Sequence, residues 1–140
     1  MQGSHLGAVM HQQGYRGQLK DLLRAHLPEA EVYDPLADNE QSLDYDPEQG
    51  RAVFLRHNRM CGDIDVLLAF VPSASMGTAI EMWEAWRCGR TVLTISPLAH
   101  NWVVRFCSHA VYADLDVFAA ELASGRVREL VDELRAGRKP

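Results

Sequence analysis

Apolar residues recur along the chain in two rhythms, one helical and one continuous. Residues 15–27 place Leu19, Leu22, Leu23 and Leu27 at helical spacing, which predicts a helix with one core-facing stripe. Pro28 ends it. Ala30–Tyr33 reads as a short strand closed by Asp34-Pro35. Residues 34–48 are acidic, carry Pro35 and Pro47, and read as a long surface loop. Residues 48–61 predict a second helix with Val53, Phe54 and Met60 among its apolar positions. Ile64–Val71 is the clearest strand, because an unbroken apolar run suits a central parallel strand covered on both faces. Thr78–Cys88 reads as a helix that Gly89 stops. Thr91–Ser96 is another buried strand. Pro97–Cys107 predicts a short helix, with a strand following near Ala110–Ala113. The segment from Leu115 to Leu134 is amphipathic and helical, with a break near Ser124-Gly125, and residues 135–140 form a fraying end.

Strands alternating with helices predict an α/β protein, a parallel sheet flanked by helices. The expected architecture is a doubly wound, Rossmann- or flavodoxin-like sheet in three αβα layers, with residues 1–140 as one domain. Its first strand is weak, since only Leu6–Met10 precedes the first helix. A flavin is not expected, because the first-strand phosphate loop that flavodoxin-like proteins need is not evident.

Composition narrows the function classes. The net charge of -5 argues against nucleic acid, which needs clustered positive charge, yet leaves room for a small anion. No apolar run approaches the roughly 20 residues that cross a bilayer. Nor does the N-terminus join a basic flank to a long apolar stretch, so a cytoplasmic protein with no membrane partner is expected. Cys61, Cys88 and Cys107 are odd in number and form no CxxC, so reduced thiols are expected rather than disulfides or zinc. The histidines, His5 and His11 included, lack metal-ligand spacing; no metal and no cofactor are expected.

The segment from Asp65 to Glu81 carries the candidate chemistry. An apolar strand leads into Ser73-Ala74-Ser75-Met76-Gly77-Thr78, and Glu81 follows in the first turn of a helix. Ligands of open α/β sheets bind beyond the carboxyl ends of the strands, where this turn falls. Backbone N–H groups at the helix start would face an anion there, Gly77 would admit it closely, and Ser75 would add a hydroxyl. The plainer reading is that Ser75 or Thr78 caps the helix. Glu81 likewise has two readings. One is a favourable partner for the helix dipole. The other is a carboxylate nucleophile at a sugar carbon, where an oxocarbenium-like transition state welcomes negative charge.

Residues 62–96 resemble the nucleoside 2-deoxyribosyltransferase family, which includes the nucleoside 5′-monophosphate N-hydrolases. The resemblance rests on Asp65, the apolar strand, the Ser75-x-Gly77 turn, Glu81 four residues after that glycine, Ala85, and a strand behind Gly89-Arg90. It covers about a quarter of the chain and extends weakly to Gly3-Ser4-His5-Leu6-Gly7, which is similar to the family's glycine-rich loop. It implies that Glu81 is the nucleophile and that Ser75, Gly77, Asp65, Gly3, Ser4 and His5 bind substrate. Six residues before the glutamate, the nucleoside transferases carry aspartate and the nucleotide hydrolases carry serine. Ser75 therefore points to a 5′-monophosphate, which an aspartate would repel. The resemblance also implies a homodimer or larger homo-oligomer.

One departure matters. Where the family places a second catalytic aspartate, eight residues before Asp65, this chain has His57. Asp63 is nearby but lies six residues further along the helix, on another face. A histidine exchanges protons near neutral pH, so His57 is a candidate to protonate the leaving base; a solvated helix face is the alternative. Trp83 and Trp86, three residues apart, read as core or dimer packing, with base stacking as the alternative and Met82-Trp83-Trp86 as one apolar surface. The leading expectation is an N-glycosidase acting on nucleotides. Deoxyribose transfer between bases, and a nucleotide-binding module without turnover, are the alternatives.

Overall fold

The fold is that of a computed structural model, in which residues 15–33 and 46–137 are described. The chain divides into two compact units, Met1–Tyr33 and Asp34–Pro140. In the first unit, helix α1 covers residues 15–26. Leu19 is buried and Leu22 and Leu23 are half-buried, so the apolar stripe marks its inner face. Residues 30–33 are not a strand, contrary to the expectation from their sequence: they are exposed and carry no regular structure. Strand preference is a preference for a half-buried pleated surface, and Ala30–Tyr33 are given none. The candidate first strand Leu6–Met10 lies outside the described residues, as does most of the 34–48 segment.

The second unit holds helices α2 (Pro47–Asp63), α3 (Met76–Arg87), α4 (Trp102–Phe106), α5 (Leu115–Ala123) and α6 (Arg126–Gly137), with strands β1 (Val66–Phe70), β2 (Thr91–Ile95) and β3 (Ala110–Tyr112). The strands form a parallel sheet in the order β1-β2-β3. Val66 stands opposite Thr91, and Leu93 opposite Ala110. All five residues of β2 are buried, as befits a central parallel strand; two of them are threonines, and the Thr94 hydroxyl is paired with that of Ser108 at 2.7 Å.

Local chemistry sets the element ends. Asp46 and Gln49 form a reciprocal capping box at the start of α2, and Pro47 takes the first helical position, where a missing N–H costs nothing. Ser75 caps α3 and Asp114 caps α5. Gly89, at φ 75°, ends α3. Its N–H donates to the Trp86 carbonyl, and that of Arg90 to the Ala85 carbonyl, the paired bonds of a left-handed glycine stop. Gly125, at φ 88°, makes the break between α5 and α6.

One core cluster joins Ala69 and Val71 of the β1 segment and Val92 of β2 to Met82 and Ala85 of α3, Cys61 of α2, and Val104 and Cys107 of the α4 segment. Phe118, Leu122 and Val127 of α5 and α6 are also fully buried, and Phe118 meets Tyr112 edge to face. Ser96, just past β2, ties the strand ends together. Its hydroxyl donates to the Val71 carbonyl at 2.6 Å and accepts the Leu98 N–H at 3.1 Å, while its own N–H reaches the Tyr112 carbonyl. Among the described residues no helix is long and apolar enough to cross a membrane.

Candidate functional site

Residues 72–75 leave the carboxyl end of β1 and deliver the chain into α3. The Ser75 hydroxyl accepts the Thr78 N–H at 3.3 Å and donates to the Thr78 hydroxyl at 3.1 Å, so it is the helix cap. Capping satisfies one N–H of the first turn and leaves those of Met76 and Gly77 without an intrahelical acceptor. Among the described residues, and apart from its own helix, nothing approaches within 4 Å of the place where a side chain on Gly77 would begin. Among the described residues, the start of α3 therefore offers donors without an intrahelical acceptor, the positive end of a helix dipole and open space.

A groove of about 210 Å³ runs beside this helix start. Ser75, Met76 and Ala79 form one wall, Asn101, Val103 and Val104 the other, with Val71 and Met82 beneath. Typical small-molecule pockets enclose roughly 300–1,000 Å³, so these walls fit a phosphate or a sugar rather than a whole nucleotide. The Asn101 side chain accepts the Val103 and Val104 N–H groups and caps α4. Sequence reasoning missed Asn101; its one signal was an amide ahead of the apolar run that becomes α4.

Glu81 is not in the first turn of its helix, contrary to expectation: Ser75 caps the helix, which starts at Met76 rather than Thr78, so the first turn holds no acid and Glu81 follows in the second. It is half-buried and contacts Cys61 of α2, and it does not line the groove. The buried Cys61 thiol of α2 donates to its Oε2 across 3.9 Å. Burial first, then the Glu81 charge, then that hydrogen bond and the Glu84 charge hold the thiol protonated, pushing its pKa from 9.0 up to about 12. Cys61 thus meets Glu81 as a neutral donor. His57, half-buried, is one helical turn before Cys61 and so shares its face of α2.

Below this contact α2 and α3 close tightly. A methyl added to Gly62 would meet the Cys88 sulfur at 2.9 Å, and the Cys88 thiol in turn donates to Glu84 at 3.8 Å. The Arg90 guanidinium donates to the Gly62 carbonyl at 2.7 Å, and Arg87 pairs with Glu84.

The expected residues are therefore distributed. Ser75 and Gly77 share the helix start, and Glu81 follows on the same helix, facing the His57–Cys61 side of α2. Asp65 does not join them: it is exposed and precedes β1, at the opposite end of a strand about 16 Å long at roughly 3.3 Å per residue. Its carbonyl accepts the Thr91 N–H, which registers β1 against β2. Gly3, Ser4 and His5 lie outside the described residues. The expected Met82-Trp83-Trp86 surface divides: Met82 is core, Trp86 tilts against His109 with ring centroids 4.7 Å apart, and Trp83 is exposed. Adjacent helix positions differ by 100°, which carries Met82 inward while Trp83 turns out.

Among the described residues, no group of three or more His, Cys, Asp or Glu is placed to hold a metal ion. Comparison of the chain with protein-family models, with curated proteins and with solved structures finds no match in any of the three.

Proposed function

We propose that the protein hydrolyses the N-glycosidic bond of a nucleoside 5′-monophosphate with Glu81 as nucleophile. The observation that carries the reading is the Glu81 carboxylate itself. It is half-buried on the helix that starts at the carboxyl end of β1, and a neutral thiol holds one of its oxygens. The donors and open space at Ser75-Met76-Gly77 suit a phosphate. On this reading the sheet belongs to a doubly wound, three-layer fold.

The Glu81 carboxylate attacks the anomeric carbon as the bond to the base nitrogen breaks. The bonding pair leaves with the base, which takes a proton, with His57 as the candidate donor. Water then attacks the same carbon as its bond to the Glu81 oxygen breaks, and the water's proton passes to the deprotonated His57, giving the sugar phosphate and returning Glu81 as a carboxylate. A competing base in place of water would make the same intermediate serve deoxyribose transfer.

The position of Glu81, which contacts α2 and does not line the groove, favours a second reading: a nucleotide-binding module without turnover. One experiment separates them. The protein is incubated with ribo- and deoxyribonucleoside 5′-monophosphates and with free nucleosides, with and without an acceptor base, beside Glu81→Gln. Base release from a monophosphate, absent in the variant, is the expected result. Binding without release from any substrate selects the module.

A further inference from the structure

We infer that Cys61 is a positioning residue for Glu81: from the neighbouring helix its thiol holds the carboxylate oxygen Oε2, and it keeps its own proton throughout. That role rests on Glu81 being the nucleophile. Cys61 is 5% exposed and belongs to the core cluster with Ala69, Val71 and Met82. Glu81 is half-buried on the adjoining helix, and the thiol reaches its Oε2 across 3.9 Å from 20 residues away in the chain. Backbone packing, rather than a flexible stem, sets the place of the sulfur. One residue on, α2 and α3 approach so closely that a methyl on Gly62 would meet the Cys88 sulfur at 2.9 Å. The Arg90 guanidinium holds the Gly62 carbonyl at 2.7 Å.

The position asks for two properties at once, because it meets an apolar core and a carboxylate. Alanine or valine would suit the core and offer no donor. A thiol is a small apolar group with one weak donor. Burial and the Glu81 charge hold that donor protonated, so the contact is a neutral hydrogen bond along which no proton moves. A hydrogen bond to the charged form of an acid favours that form. The contact therefore favours the ionised carboxylate, which is the form that attacks, and helps it leave when water takes the sugar carbon. Because S–H is a weak donor, it orients the carboxylate while taking little of its basicity. Being buried, Cys61 acts through Glu81.

The test compares Cys61→Ala, Cys61→Val and Cys61→Ser with the wild type as purified full chains, on the monophosphate that releases base fastest. Two donor-free residues, one smaller and one larger than cysteine, separate the donor from the packing. The acid limb of kcat/KM reports the Glu81 carboxylate of the free enzyme. Both donor-free variants should move that limb up by about half a pH unit and lower kcat about threefold at equal KM, since the carboxylate is held less firmly and leaves the sugar less readily. A carbon-13 titration of the Glu81 carboxyl, assigned with Glu81→Gln, should show the same shift without turnover. Cys61→Ser keeps a donor and should return both midpoints towards the wild type. Midpoints that stay in place in the donor-free variants overturn the inference, as does an equal shift in Cys61→Ser, and either result leaves the nucleophile standing. A wild type that releases no base overturns the nucleophile and its positioning residue together, whatever the carbon-13 midpoints do.

Discussion

Cys61 and Ser75 each do more than their sequence context announces. The fold keeps the Cys61 thiol protonated up to about pH 12, whereas an ordinary thiol loses its proton near 9.0. Above pH 9 the unfolded chain therefore binds fewer protons than the folded one, and stability falls as pH rises towards 12. Below pH 9 the thiol contributes no slope. Denaturation midpoints followed across that window should decline in the wild type, and Cys61→Ala should flatten the decline. The flattening is partial, because burial raises Cys107 and Tyr112 in the same direction. Ser75 poses a different question, since a cap and a phosphate ligand both need its hydroxyl. Ser75→Ala should cost about 1 kcal/mol of stability through the lost cap. Ser75→Asp keeps a good cap but sets a negative charge at the helix start. If that serine faces phosphate, Ser75→Asp should leave the unfolding curve nearly unchanged and raise KM for a monophosphate while sparing a free nucleoside. An equal effect on both substrates would remove phosphate from the reading.

Between elements, the decisive contact is the close approach of α2 to α3 at Gly62. A methyl there meets the Cys88 sulfur, so Gly62→Ala should destabilise by about 1 kcal/mol, at the low end of overpacking costs. Removing the obstacle in Gly62→Ala, Cys88→Ala should recover most of that loss, and a double-mutant cycle of urea unfolding measures the coupling. This contact also marks what was legible in the chain. The composition of β1 and β2 announced parallel strands, but only β2 is central and buried throughout; β1, read as the central strand, stands at the edge of the described sheet and is half-buried except at Ala69. Gly89 and Gly125 announced helix ends because both adopt the left-handed conformation that favours glycine. The apolar pattern starts α2 at residue 48, one residue late, because it leaves out the capping box that Asp46-Pro47-Glu48-Gln49 spells. Ala30–Tyr33 has the composition of a strand but lacks the surroundings of one. The pairing of Cys61 with Glu81 joins residues 20 apart and depends on how two helices pack, which no local pattern encodes. For the same reason the groove wall at Asn101, Val103 and Val104 emerges only once α4 is placed beside α3.

At the scale of the second unit, the sheet follows chain order, each strand pairing with the next. β2 lies between the other two and is buried throughout, so its amides should exchange with solvent more slowly than those of α4 or α6. Hydrogen exchange read by mass spectrometry checks this; faster exchange in β2 than in α6 would mean that the sheet is not the stable centre. The Ser96 hydroxyl has a consequence here for timing. It bonds the last residue of the β1 segment, while the Ser96 N–H bonds the last residue of β3. The ends of the three described strands thus meet at one residue, through its hydroxyl on one side and its backbone N–H on the other, and the four residues from Pro72 to Ser75 leave from a fixed anchor. Breathing at that end of the sheet becomes a concerted event rather than three separate ones. The Val71 and Ser96 amides should open with the same frequency, and Ser96→Ala should let them fall out of step.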